Sequence, residues 1–416
     1  MGMTLTEKIL AKAAGRSSVK PGDIVEASID LAMLHDALGS LTFPIVRDLG
    51  IRIWDSDKVV VAIDHAAPPS SLGHAEWVAD TIRFAREYKI RHFYNMQGVA
   101  HQIIPEEGLV RPGMVAVGTD SHTCTYGALG AFATGIGSTE MAWVLAKGSL
   151  WFRVPATIKV VVDGSLPARV MAKDVMLKVL SVLGVNGATY KALEFTGEAI
   201  RRMSMDGRLA LCNMAVETGA KNGIVEPDEV TWSYLKERYC GPMEPVSPDE
   251  DAVYDRVIRI DASGLSPMLA CPHSPGNVVP VNEVAGTKVD QVVIGTCTGG
   301  RMEDFRAAAE IIRGRKVPPF VRCLVIPASA KIYRQLLEEN LIKVFLDAGC
   351  VMCNPQCGPC AGLHYGLLAP GEVCVGTHNR NFMGRMGSPL AQVYLASAAT
   401  AAAAAVTGKI VDPRDM

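Results

Sequence analysis

The chain has no long uninterrupted apolar run, no block of like charge and no excess of either sign. Its 41 lysines and arginines stand against 43 aspartates and glutamates, a net charge of −2. Each absence excludes something. Without a basic stripe there is no electrostatic footprint for nucleic acid, and without a charge block there is no charged tail. The most hydrophobic tract near the end, "YLASAATAAAAAVTG", is alanine-rich and about one helix long; it reads as a buried helix rather than a membrane span. The opening "MGMTLTEKILAKAAGRSSVK" reads as an amphipathic helix and lacks the apolar stretch and cleavage site of a signal peptide. The glycine-rich "GALGAFATGIG" lacks the G-x-G-x-x-G order after a strand, so nucleotide binding gets no support. There is no internal repeat, and no low-complexity segment beyond the alanine tract. We expect a cytoplasmic protein with no nucleic-acid and no membrane partner, whose ligand is a small molecule or another protein.

What is present points to an enzyme-sized α/β protein. A chain of 416 residues exceeds one ordinary domain, and 49% hydrophobic residues can fill a large core. Apolar runs such as "KVVVAI" and "MVAVGTD" alternate with helical patterns such as "HAEWVADTIRFAREY" and "STEMAWVLAKG", which predicts parallel strands linked by helices. A strand in "ATIKVVVDG" opens a second section, and "VDQVVIGTCTGGR" opens a third. The expected division is 1–154, 155–285 and 286–416. Between them "GPMEPVSPDE", residues 241–250, reads as an exposed loop.

Eleven cysteines in a reducing compartment argue for metal binding or catalysis rather than disulfides. Four of them, Cys350, Cys353, Cys357 and Cys360, run as C-x2-C-x3-C-x2-C. A closed zinc site usually separates its two C-x2-C pairs by a longer loop, and a ferredoxin-type cluster prefers C-x2-C-x2-C. A third reading joins one C-x2-C pair to the distant Cys297, in the tight turn "TCTGG", to hold a [4Fe–4S] cluster with one iron open. Spacing alone leaves the three open.

The polar motifs weigh on that choice. "VAIDHAAPP" sets Asp64 and His65 at a strand end, and "VGTDSHTCTYG" repeats the arrangement with Asp120, Ser121 and His122. A carboxylate beside an imidazole raises its pKa and orients it, which suits a general acid. His101, Asn213 and Glu217, taken singly, also fit satisfied buried polar groups. "THNRNFMGRMGSP" gathers Asn379, Arg380, Asn381 and Arg385; two arginines among glycines suit bidentate grips on carboxylates, and the rival reading is a solvated basic loop.

Together "DH" at 64–65, "HQIIPEEG" at 101–108, "GTDSHTCTYGALG" at 118–130, "CNMAVETGAK" at 212–221, "GTCTGGRMED" at 295–304, "CGPCAG" at 357–362, "PGEVC" at 370–374, "NRNFMGRMGSP" at 379–389 and "AAAAAVTGKI" at 401–410 closely resemble the aconitase superfamily, in its branch of isopropylmalate dehydratase and homoaconitase large subunits. The resemblance implies three α/β/α domains around a shared cluster site, without the swivelling domain of single-chain aconitases. It implies one [4Fe–4S] cluster on Cys297, Cys357 and Cys360, leaving Cys350 and Cys353 outside. It gives Asp64–His65 the role of acid, with His101, Asp120, His122 and Glu217 as further catalytic groups. Asn213 and Asn379 correspond to cluster-contacting amides, and His35, Ser121, Arg380 and Arg385 to substrate-binding positions.

The implied activity is that of a hydro-lyase interconverting 2- and 3-isopropylmalate in leucine biosynthesis. The implied partner is a separate small subunit that brings the catalytic serine, and the substrate is a small hydroxy diacid. Homoaconitate, 2,3-dimethylmalate or citramalate and citraconate are rival substrates. A non-catalytic iron–sulfur or zinc sensor is the rival of another class. Two departures stand out: Gly299, where most relatives have asparagine, and His378, where serine or tyrosine is usual. Gly299 is expected to loosen contacts near a ligand cysteine.

Overall fold

Val59–Ile63 is apolar and buried at all five positions, as a strand covered on both faces must be. In the computed structural model, which describes residues 2–416, it pairs in parallel with His92–Asn95 and Leu31–His35. Val115–Gly118 and Phe132–Gly135 complete a five-stranded sheet with every pairing parallel. The helices Leu72–Glu87 and Ser138–Lys147 belong to the same α/β pattern; Ser71 caps the first by accepting the His74 N–H, and Gly148 ends the second in the left-handed region. The first helix covers only Leu5–Ala13, shorter than the sequence suggested. Ala14–Gly15 and the polar residues that follow it do not continue it. The acidic loop at 241–250 forms no regular element, and Asp249 is tied to Lys8 at 2.6 Å.

A second sheet runs Asn222–Val225, Ala192–Thr196, Thr157–Asp163, Arg256–Asp261, its first three strands parallel. A third, seven-stranded sheet runs Val278–Pro280, Met268–Ala270, Gln392–Ala396, Val373–Gly376, Gln291–Gly295, Arg322–Ile326, Val351–Met352. Its last five strands are parallel and its first two antiparallel. The alanine tract splits. "YLA" closes the strand Gln392–Ala396, and the helix begins at Ala398 and ends at Thr407. This helix is buried along its length and packs on Met302–Ile312, where small side chains let two helices approach. Among the described residues no helix is long and apolar enough to cross a membrane.

By compactness the chain forms two units. The first comprises the chain to Met96, Ala100–Asp163 and Ala188–Ile260; the second Gln97–Val99, Gly164–Gly187 and Asp261–Met416. The boundaries therefore differ from a simple succession of sections. The helix Ala172–Leu183 packs on the strands Met268–Ala270 and Val278–Pro280, which draws Gly164–Gly187 to the seven-stranded sheet. Each unit has its own apolar core, around Phe43, Phe84 and Phe132 in the first and around Phe305, Phe345 and the alanine helix in the second.

Candidate functional site

In the first unit the chemistry gathers where parallel strands end, the position at which α/β sheets expose polar groups. Leu31–His35 runs directly into a helix starting at Asp36. The Asp36 carboxylate accepts three successive backbone N–H groups, from Asp64 at 3.2 Å, His65 at 3.1 Å and Ala66 at 2.6 Å. It thereby fixes the turn that presents the Asp-His pair. Asp64 Oδ1 lies 2.6 Å from His65 Nδ1, and Asp64 Oδ2 accepts the Ala100 N–H at 2.8 Å. The His35 ring stacks on His65 with centroids 4.2 Å apart. His35 Nε2 and His65 Nε2 lie 3.9 Å and 3.8 Å from Asp120 Oδ2.

Electrostatics divides the two stacked imidazoles. Burial opposes charge on His65, but Asp64, its hydrogen bond, Asp36 and Asp120 outweigh it, pushing the pKa up to about 10. His35 moves the other way, because burial and the charge of His65 outweigh the same carboxylates. Asp64 is held below its ordinary value: burial raises it, while the charge and hydrogen bond of His65 prevail. The two stacked rings are thus driven in opposite directions, His65 toward the charged form and His35 toward the neutral one.

Asp120 caps the 3-10 segment Ser121–Leu129 by accepting the His122 N–H at 2.6 Å. Its Oδ1 also lies 2.9 Å from His101 Nε2, and His122 Nε2 lies 2.8 Å from Glu217 Oε1. Burial would raise Asp120, yet the charge and hydrogen bond of His101, then those of His122, hold it well below the carboxylate range. Tyr126 closes the cluster with its hydroxyl 3.4 Å from His101 Nδ1; burial, then Asp120 and Asp64, push that phenol well above its ordinary value. Asn213 is fully buried and donates to Thr125 Oγ1 at 2.7 Å, while its carbonyl lies 3.4 Å from Cys124 Sγ. Ser121 opens the segment, half-buried. Of the residues expected here, His35, Asp64, His65, His101, Asp120, His122 and Glu217 come together through these contacts. Asp36 was missed, although it stands beside His35 in "MLHDALG"; an acid at a strand–helix junction is the signal that would have found it. Asp36 also joins His35, Asp64 and His65 in a tight buried group of ligand-type atoms, but its carboxylate is already taken by backbone N–H groups.

In the second unit Cys297, Cys357 and Cys360 form one buried cluster with Val99. Cys297 follows the strand Gln291–Gly295 in a single helical turn, Thr296–Gly299. Thr296, a β-branched residue, is held there at φ 68°, the kind of backbone strain that collects at functional sites. Asn379 Nδ2 donates to Cys297 Sγ at 3.3 Å, and its Oδ1 accepts from Thr298 Oγ1; the Asn379 backbone N–H reaches Cys360. Hydrogen bonds with Cys297 and Cys360, then burial, push the Cys357 thiol well above its ordinary range. Cys360 is held well below it by its bond to Cys357, against burial, with His378 and Arg385 helping. Lys173 donates at 2.5 Å to the carbonyls of Thr377 and His378; burial, outweighing nearby Asp304, Cys360 and Cys297, brings its pKa down to about 8.

The basic-loop reading of 377–385 does not survive: Thr377, His378, Asn379 and Asn381 are fully buried, and Arg380 and Arg385 are half-buried. At Gly299 the turn itself is closely packed. A Cβ at 299 would fall 2.4 Å from the Thr377 Cβ, and Thr377 Oγ1 bridges the Gly295 N–H and carbonyl at 2.8 and 2.9 Å, so threonine fills the space. Cys350 and Cys353 lie apart from the triad; Cys350 packs in the main core, and Cys323 hydrogen-bonds it. Three soft thiols, buried together and served by amide donors, fit an iron–sulfur cluster held by three protein ligands.

Known proteins agree in kind. The family described as "Aconitase family (aconitate hydratase)" matches residues 7–408. The "3-isopropylmalate dehydratase large subunit 1" of Methanopyrus kandleri is 53% identical over 416 residues, 100% of this chain and 99% of its own. The "Probable methanogen homoaconitase large subunit" of Methanothermobacter thermautotrophicus is 49% identical over 99% of this chain and 98% of its own. The 3-isopropylmalate dehydratase large subunit of Thermodesulfovibrio yellowstonii is 47% identical over the whole of both chains. Among solved structures, Thermococcus kodakaraensis aconitase X (holo-form) superposes with a TM-score of 0.51 at 13% identity, covering 86% of this chain and 84% of that one, a likeness of fold.

Proposed function

The chain belongs to the aconitase family, and from that premise we propose that it is the large subunit of a 3-isopropylmalate dehydratase, a cytoplasmic hydro-lyase of leucine biosynthesis. The observation that carries the reading is the buried triad Cys297, Cys357 and Cys360 with its amide donors, in a chain similar end to end to large subunits of that name. These residues would hold one [4Fe–4S] cluster, which when bound supplies a Lewis acid at an iron free of protein ligand.

Every other role falls to side chains. His65, charged across neutral pH, gives its proton to the departing hydroxyl, and Asp64 aims the ring. His122 with Glu217, and Asp120 with His101, hold a second pair of imidazoles in fixed orientation. Arg380 and Arg385 bind substrate carboxylate, with Ser121 and His35 as further substrate contacts. Asn213 and Asn379 serve the cluster as amide contacts. A separate small subunit brings the serine that takes the substrate's C–H proton. Sections 1–154, 155–285 and 286–416 act as three domains in this proposal.

A second reading, a homoaconitase large subunit, is favoured by the methanogen relative of that name. Anaerobic co-purification with the small subunit, followed by assay of isopropylmalate, homoaconitate, 2,3-dimethylmalate and citramalate, separates them. Turnover of isopropylmalate is expected; strong turnover of another diacid with none of isopropylmalate overturns the substrate. No turnover of any diacid by an iron-loaded complex favours a sensor.

A further inference from the structure

The proposal leaves one buried group without a task. The imidazole of His378 is fully buried, and neither Nδ1 nor Nε2 has a hydrogen-bond partner among the described residues. Buried polar groups are nearly always satisfied, and an exception needs a reason. The fold makes room for this ring. The strand Val373–Gly376 ends at Gly376, where a Cβ would fall 2.2 Å from the ring Cε1 and 2.3 Å from Nδ1, so glycine at 376 is what admits an imidazole at 378.

The neighbours of the ring are themselves engaged. The His378 carbonyl is taken by Lys173 Nζ at 2.5 Å. The following residue gives its backbone N–H to Cys360 and its side-chain amide to Cys297. The ring itself lies close enough to Cys360 for that thiol to act on its charge, together with Lys173 and Arg385. The ring, seated by a glycine, stands one residue before the asparagine that serves both Cys297 and Cys360, which places it to serve the same sulfur.

We infer that His378 is an imidazole N–H donor to the sulfur of the iron–sulfur cluster on its Cys360 side, and that it sets the reduction potential of that cluster. The inference rests on the cluster reading above. Hydrogen bonds to cluster sulfur spread the negative charge that reduction adds and so favour the reduced state.

The test compares anaerobically reconstituted wild-type complex with His378→Gln and His378→Phe, each with histidine labelled with nitrogen-15. Iron and sulfide content, EPR-monitored redox titration and the nitrogen hyperfine coupling to the reduced cluster are read. All three proteins are expected to carry the cluster. His378→Phe shifts the potential to more negative values and loses the histidine coupling, while His378→Gln, which keeps an N–H, retains most of the potential. An unchanged potential in His378→Phe, or equal loss of cluster from both variants, overturns the donor role. Absence of iron and sulfide from the wild-type protein itself would instead overturn the cluster reading beneath it.

Discussion

In the first unit the carboxylates of Asp36, Asp64, Asp120 and Glu217 each hold a backbone N–H or an imidazole. In the 377–385 loop of the second unit, the ring nitrogens of His378, Oδ1 of Asn381 and Nε of Arg385 are buried without a partner among the described residues. The carboxylates of the first constellation are all engaged within the chain and orient His65, His101 and His122, while the His35 ring is held by stacking on His65 and its nitrogens have no hydrogen-bond partner among the described residues. The second gathers three buried thiols, one of which accepts from the Asn379 amide. Proton-transfer machinery can be preorganised by amino acids, whereas a site for an inorganic group must leave its polar atoms uncommitted.

The comparison breaks first at Cys297. Cys297→Ser is expected to remove the visible iron–sulfur absorbance and all turnover, with the fold kept by circular dichroism; a variant that keeps full absorbance would show the triad to be wrong. His65→Ala is the matching cut in the other region: turnover falls by roughly 10²–10⁴ while absorbance persists, and loss of absorbance would refute the separation of roles.

Asp36→Ala tests preorganisation rather than chemistry. It strands three buried N–H groups and should cost about 3 kcal/mol or more in a urea titration; a cost near zero would mean that the turn holds itself. Asp64→Asn should act through pH. His65 in the folded protein titrates near 10 against an ordinary 6.5, so the stabilisation from its charged form is complete below about pH 6.5 and is lost as pH rises through about 10. Without the Asp64 charge the alkaline limb of the rate profile should move down by roughly 1–3 units, and an unmoved limb would assign it to another group. The smallest effect belongs to Cys353→Ser, a half-buried thiol outside the triad. It should keep the cluster and cost no more than about 1 kcal/mol. If Cys353→Ser destroys the cluster while Cys297→Ser spares it, the assignment of ligands is reversed.

The strands were legible because apolar runs such as Val59–Ile63 and Gln291–Gly295 are buried on both faces, and the acid–imidazole motifs because they sit at the ends of such strands. Asp36 was harder to see, since its work is to bind backbone N–H groups that no side-chain pattern reveals. The partition into units was hidden for another reason. The transfer of Gly164–Gly187 to the seven-stranded sheet depends on helix-on-strand packing between residues about a hundred positions apart, which local periodicity does not encode. Thr377, which fills the space beside Gly299, is likewise a tertiary neighbour.

The short stretch Gln97–Val99 carries a consequence for synthesis. The Val99 N–H donates to the Ala328 carbonyl and the Gln97 carbonyl accepts from Ala330, and Val99 shares the pocket of the three cysteines. Cys297 leaves the ribosome about 200 residues after Val99, and Cys360 later still, so the wall of the thiol pocket is made long before its floor. A fragment ending before residue 328 lacks the Ala328 carbonyl that holds Val99, and one beginning after residue 99 lacks the valine that packs with the three cysteines. The buried thiol group is thereby closed by pairing between segments far apart in the sequence.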